Sequence, residues 1–159
     1  MCRHIEFHAE YCNDIPFGKN ILTEDESIIF EPSFPICSFS IHPYDWSFEL
    51  TTQKESENKY LICYALANLC FFKCKQTDLT IPKAQRGKIF ALLNFQGTDG
   101  IYYSDYAQFT CAKYYDPQNN ILAIGDITAT GRTIEFANNQ FAVIDELGRL
   151  IAVYISLNQ

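Results

Sequence analysis

The chain has 159 residues and a formal net charge of −7, and 48% of its residues are hydrophobic and 15% aromatic. This length predicts one domain spanning residues 1–159, and this apolar content excludes an intrinsically disordered chain. Thirteen Phe and ten Tyr beside one Met and one Trp favour a β-sheet protein over a helical bundle.

The negative charge is concentrated in the first part of the chain. Residues 1–60 contain eleven acidic and four basic side chains, whereas residues 61–159 contain eight of each, so the first sixty residues carry the whole excess. An acidic surface repels phosphate groups, which disfavours direct binding of nucleic acid or of an anionic membrane. A basic protein would instead be attracted to it.

Three features predict a cytoplasmic protein. The N-terminal residues lack the continuous apolar run of a secretory signal. The longest apolar stretch, residues 60–72, is shorter than the about 20 residues needed to cross a bilayer. The odd number of cysteines, seven, argues against a complete disulfide framework.

The first twelve residues, MCRHIEFHAEYC, alternate polar and apolar side chains. On a strand His4 and His8 would lie roughly 13 Å apart, too far to share a metal ion. The alternation therefore predicts an amphipathic first strand with Ile5 and Phe7 facing the core, and no metal or cofactor. An alternative is a thiol- or metal-dependent enzyme that uses Cys2, His4 and His8, with Cys2 acting as an N-terminal nucleophile after removal of Met1.

Three short runs between residues 27 and 52 have the composition of strands: SIIFE, ICSFSIH and WSFELTT. Proline or a polar loop follows each run, which predicts strands at the start, end or edge of a sheet. Around the only tryptophan, HPYDWSFE mixes aromatic and acidic side chains. We expect Tyr44, Asp45 and Trp46 to belong to a binding surface, because Trp and Tyr combine apolar area with a polar group.

Residues 60–75 can be read in two ways because nearly every residue is apolar. One interpretation is two buried strands that meet near Ala67 and Asn68. The other is a buried helix with Cys63, Ala67, Cys70 and Cys74 on one stripe. Residues 77–95 have the same ambiguity, although Gly87 counts against a long helix.

The segment GTDGIYYSDYAQF is the second candidate binding surface. It clusters aromatic and acidic side chains, and the residues that we expect to bind are Asp99, Tyr102, Tyr103, Asp105 and Tyr106. A strand whose tyrosines pack in the core is the alternative, and in either case Tyr102 and Tyr103 must face opposite ways.

From Ile101 onward, β-type runs alternate with turn sequences, which predicts a C-terminal antiparallel meander. DPQNN predicts a turn, and Gly148 is expected to adopt a positive φ in a hairpin loop. IGDITATGRT lacks the Gly-Lys-Ser/Thr core of a phosphate-binding loop and predicts a β-turn. In the last strand, Ile151, Val153, Ile155 and Leu157 are expected on the core face, and the apolar second face predicts a central strand.

The predicted fold is an antiparallel β-sandwich or barrel with a C-terminal meander. The alternative is an α+β fold with a buried helix around residues 60–75. The charge and the aromatic segments predict a non-catalytic acidic protein-binding domain, an inhibitor or immunity-type protein that neutralises a basic partner. A β-barrel that binds a small ligand is an alternative from a different class, as is the thiol or metal enzyme.

Overall fold

Strands dominate the computed structural model, which describes residues 2–32, 38–68, 73–98, 100–107, 109–110 and 112–158. In this part of the chain they are β1 (Ile5–Tyr11), β2 (Lys19–Leu22), β3 (Ser27–Glu31), β4 (Phe39–His42), β5 (Phe48–Ser56), β6 (Lys59–Asn68), β7 (Lys75–Gln76), β8 (Ala84–Leu93), β9 (Ile101–Tyr102), β10 (Lys113–Asp116), β11 (Ile121–Gly125), β12 (Arg132–Ala137), β13 (Gln140–Ile144) and β14 (Leu150–Ser156). With 55% strand and 3% helix, the mainly β class is confirmed.

The α+β alternative is wrong for the part of residues 60–75 that the structure describes up to Asn68. Lys59–Asn68 forms one strand, β6, in which both faces are largely buried. A strand buried on both faces carries a nearly continuous apolar run, and this explains why no periodicity distinguished it from a helix. Residues 69–72, which belong to the second strand expected here and include Cys70 of the stripe, lie outside the described residues.

Eleven strands follow one path, strongly curled into a half-barrel, in the order β7-β10-β11-β14-β13-β12-β8-β6-β5-β4-β9. Off this path, β1 pairs with β8, and β3 pairs with both β2 and β6. Most pairs are antiparallel, as expected from the sequence, but β4–β9, β7–β10 and β8–β12 are parallel. Two of these parallel pairs contain a strand of only two residues. Contacts between distant segments, rather than hairpin turns, determine where these short strands pair.

The C-terminal meander is confirmed for β12, β13 and β14, which pair in sequence order. β11 pairs with β14, so the four strands form a Greek key, with β14 in the centre as predicted. The expected core face needs one correction. Leu150, Val153 and Ile155 belong to the main core, whereas Ile151 packs against a second cluster, because an irregularity in the β13–β14 register interrupts the alternation.

The predicted first strand is confirmed as β1. Ile5 and Phe7 are buried while Glu6 and His8 are exposed, so the strand is amphipathic in the predicted sense. At the other end of the chain Gly148 has a φ of +76°, as its turn sequence predicted. Its carbonyl oxygen accepts a hydrogen bond from the N–H of Phe7 at 2.8 Å, which ties the last hairpin loop to β1.

A buried glutamine fills a gap in the pairing of β6. On one edge β6 pairs with β8 as far as Leu61 and with β3 only from Ala67. Between them, Gln140 Oε1 accepts the N–H of Ala65 at 2.6 Å, and Gln140 Nε2 donates to the carbonyl oxygen of Ala65 at 2.8 Å. Nε2 also donates to Asn20 Oδ1 at 2.7 Å. The side-chain amide therefore pairs with β6 as a strand backbone would.

Asp116 closes the predicted DPQNN turn and holds a neighbouring segment. Its carboxylate accepts hydrogen bonds from the N–H groups of Leu79 at 2.8 Å and of Gln118 and Asn119 at 3.0 Å. Leu79 belongs to the second apolar cluster, which also contains residues of β11, β13 and β14. These hydrogen bonds lower the pKa of Asp116 from 3.8 to about 2, and the bond from Leu79 contributes most to this shift.

We expect the free energy of unfolding to decrease as the pH falls from about 4 to about 2. A carboxyl group whose pKa is lower in the folded state stabilises the fold above its unfolded pKa, and that stabilisation is lost on protonation. Asp116→Asn should be less stable than the wild type at pH 7, because an amide group facing Leu79 cannot keep all these bonds. Urea unfolding between pH 2 and pH 7 measures both effects, with the exposed Asp14→Asn as control. An equally steep acid dependence in Asp116→Asn would contradict this assignment.

Candidate functional site

The parallel pairing of β4 with β9 joins the two segments that the sequence singled out. His42 lies opposite Tyr102 in the register, and their rings stack with centroids 5.2 Å apart. Ser104 Oγ donates a hydrogen bond to the carbonyl oxygen of Tyr44 at 3.2 Å. Residues 42–49 and 101–105 are therefore held side by side at the end of the strand path.

Three aromatic side chains are exposed on these two segments: Tyr44 is 42% exposed, Trp46 63% and Tyr102 38%. We call these three residues the aromatic edge. Large exposed aromatic side chains are typical of protein interfaces, where Trp and Tyr contribute much of the binding energy. The aromatic edge thus combines residues that are more than fifty positions apart in the sequence.

Asp45 holds the loop that presents Tyr44 and Trp46. Its carboxylate accepts hydrogen bonds from the N–H and hydroxyl groups of Ser47, and Lys113 Nζ lies 2.8 Å from Asp45 Oδ2. Partial burial acts to raise the pKa of Asp45, but the bonds from Lys113 and Ser47 outweigh it, so the pKa lies below its ordinary value. Asp45 is therefore an ionised positioning residue whose charge Lys113 compensates.

The charge beside the aromatic edge is negative. The two segments contain Asp45, Glu49 and Asp105 and neither Lys nor Arg. Lys113 compensates Asp45, while Glu49 accepts a hydrogen bond from Ser40 and Asp105 is exposed in a short 3-10 turn, Tyr103–Asp105. Two acidic side chains therefore remain without a basic partner among the described residues.

Tyr103 lies in the core rather than on the predicted surface. It is 1% exposed, its ring packs edge-on against Phe7 and Phe109, and its hydroxyl oxygen accepts the N–H of Leu150 at 3.1 Å. Tyr102 and Tyr103 do face opposite ways, as expected. The sequence IYYSDYAQFTCAKYY, from Ile101 to Tyr115, was expected to be one β-type run, and this is wrong because the 3-10 turn that begins at Tyr103 interrupts it.

The remaining predicted residues do not join the aromatic edge in the described structure. Tyr106 is half-buried and stacks on Phe95 with ring centroids 5.1 Å apart. Asp99 lies outside the described residues. The sequence did not indicate Lys113 as a member of the site, and His42 was only the first residue of the HPYDWSFE segment, because both act through contacts between distant segments.

A pocket lies against Tyr103. This pocket of about 160 Å³ is bounded by Tyr103, Phe109, Asp126, Arg149 and Leu150, with Ala129 on its wall. Asp126 comes from the IGDITATGRT segment, which contains the connection between β11 and β12. Its carboxylate accepts the N–H and hydroxyl groups of Thr128 at 2.9 and 2.7 Å.

The N-terminal residues of the enzyme alternative are exposed and tied to the fold through their backbone. His4 N–H donates to Asn94 Oδ1, and Asn94 Nδ2 donates to the carbonyl oxygen of Cys2, each at 2.8 Å. His8 is an exposed residue of β1. Among the residues that the structure describes, no three His, Cys, Asp or Glu side chains are grouped so that they could hold a metal ion. The enzyme alternative stays a prediction.

Comparison with protein-family models and with curated proteins finds no match to this chain. Within the described residues, no helix has both the length and the apolar character required to cross a membrane.

Proposed function

We propose that this protein is a non-catalytic, acidic protein-binding domain that binds a basic protein at the aromatic edge. The observation that supports the proposal is the β4–β9 pairing, which holds side by side the two segments that carry the exposed Tyr44, Trp46 and Tyr102. Rigid aromatic side chains provide large contact areas at a low entropic cost, and they commonly form the centre of a protein interface.

The charge favours a basic partner. Glu49 and Asp105 flank the aromatic edge without a basic partner among the described residues, and the chain as a whole carries −7. Complementary charge accelerates encounter and disfavours acidic competitors. An inhibitor or immunity-type protein, which neutralises a cationic enzyme or toxin, is the form of the proposal that this charge supports.

The first test compares capture by the wild type and by Trp46→Ala/Tyr102→Ala, each immobilised and exposed to a lysate of the cells that produce the protein. We expect the wild type to retain a basic protein that the double variant does not retain. Phe17→Ala/Leu22→Ala is the matched control, because it removes two exposed apolar side chains elsewhere on the surface. Equal capture by both double variants would contradict the proposed site.

The second test measures association of the captured, purified protein by stopped-flow fluorescence. We expect the association rate constant to fall at least about tenfold between roughly 50 and 500 mM NaCl, because salt screens electrostatic attraction. The dissociation rate constant should change much less. An association rate constant that does not depend on salt would show that the negative charge has no role in recognition.

A further inference from the structure

The pocket beside Tyr103 has the size and walls of a site for one small group. Its volume of about 160 Å³ is close to that of cavities that hold a benzene ring, about 150 Å³. Tyr103, Phe109 and Leu150 provide aromatic and aliphatic wall, while Asp126 and Arg149 bring charge to it. A ligand that fits must therefore combine an apolar part with a polar or charged end.

The charges at the pocket determine whether the polar end of the ligand should be positive or negative. Arg149 Nε lies 2.6 Å from Asp145 Oδ2, so the guanidinium charge is already compensated. Asp126 has no ion-pair partner among the described residues. The hydrogen bonds from Thr128 lower the pKa of Asp126, which keeps its carboxylate ionised at neutral pH. The carboxylate of Asp126 therefore provides one uncompensated negative charge at the pocket.

The pocket and the aromatic edge are built on neighbouring segments of the chain. Tyr102 belongs to the aromatic edge and the next residue, Tyr103, forms a pocket wall. On the other side, Asp126 directly follows β11, whose Ile124 lies opposite Lys113 in the β10–β11 register. Lys113 is the ion-pair partner of Asp45 in the loop that presents Trp46. Two connections, through Tyr103 and through Lys113, therefore link the segments of the aromatic edge to the walls of the pocket.

We infer that the pocket binds an alkylammonium or guanidinium group on an apolar stem, as a lysine or arginine side chain of the basic partner would present it. The stem would pack against Leu150, and the cationic end would pair with Asp126. As a description of the partner, this inference rests on the proposed function, although a free small amine would offer the same chemistry.

The test is a titration of the ¹⁵N-labelled protein with butylguanidinium, butylammonium and benzoate, followed through the backbone amide signals of Ala129 and Ile151. We expect saturable shifts with the two cations, with dissociation constants on the order of 1 mM, which suits ligands of so few atoms. Asp126→Asn keeps the turn and should weaken binding about tenfold. Asp78→Asn, which removes an exposed carboxylate outside the pocket, should leave binding unchanged.

Ala129→Leu provides a second variant that fills the pocket without changing its charge, and it should abolish the shifts. Stronger binding of benzoate than of the cations, or no saturable shift with any probe, would overturn the inference. Unchanged affinity in Asp126→Asn would also overturn it. The two proposals can be refuted separately. If capture of the partner depends on Trp46 and Tyr102 but no probe binds, only the inference about the pocket is refuted. If the probes bind but capture of the partner does not depend on Trp46 and Tyr102, the proposed function is refuted.

The source of the cation is decided with the captured complex. If a partner side chain occupies the pocket, butylguanidinium should no longer shift the Ala129 signal once the partner is bound, and Asp126→Asn should weaken the partner. If the probe still binds to the complex with unchanged affinity, the pocket serves a free amine and the partner's side chain is excluded.

Discussion

Replacement of Gln140 by leucine is expected to lower the free energy of unfolding by about 3 to 5 kcal/mol. Leucine has a similar volume but cannot pair with the N–H and carbonyl groups of Ala65, which Gln140 satisfies inside the fold. Each buried backbone group left without a partner costs about 1 to 3 kcal/mol. Loss of the bond to Asn20 adds to this cost.

Urea denaturation of Gln140→Leu checks this value, and Gln85→Leu is the control. Gln85 also lies in a strand, β8, but it is exposed. Its replacement should change the free energy of unfolding by no more than about 0.5 kcal/mol. If both variants lost the same small amount, the amide of Gln140 would not substitute for strand pairing.

Gly125→Ala is the second substitution with a large expected effect, about 3 to 5 kcal/mol. Gly125 ends β11 with a φ of +112°, a conformation that other residues adopt only under strain. A Cβ atom there would lie 2.3 Å from the carbonyl oxygen of Ile151 and 2.8 Å from Ala152 Cα. Both contacts are with the backbone of β14, so relief of the clash requires the central strand to move.

Gly100→Ala separates backbone conformation from crowding. Gly100 also has a positive φ, +76°, but a Cβ atom there would meet nothing within 4 Å. This variant should lose only about 1 to 2 kcal/mol, the cost of a left-handed residue. Thermal and urea unfolding of the two variants measure the difference, and equal losses would contradict the role assigned to close packing against β14.

Local patterns were sufficient to predict the elements that depend on them. The alternation of Ile5 and Phe7 with polar residues identified β1, and turn chemistry identified the positive φ of Gly148. The C-terminal meander followed from β-type runs separated by turn sequences. In each case the structure depends on residues a few positions apart, and the sequence displays these directly.

Other features depend on pairing between distant segments, which a single sequence does not display. β9 has only two residues, too few to show the alternation of polar and apolar side chains that marks a strand. Nothing in the local sequence indicates that it pairs with β4. The alternation showed that Tyr102 and Tyr103 must diverge, but which of them enters the core depends on Phe7 and Phe109. Gln140 resembles an outward polar residue until the gap in the pairing of β6 is known.

The central claim, that the aromatic edge binds the partner, is tested most directly at Trp46, the only tryptophan of the chain. Incorporation of 5-fluorotryptophan places a single ¹⁹F reporter at this position. On addition of the captured basic protein, we predict that the ¹⁹F signal shifts and broadens as the exposed ring becomes covered. An unchanged ¹⁹F signal in a complex that demonstrably forms would contradict the claim, because the partner would then bind elsewhere on the surface.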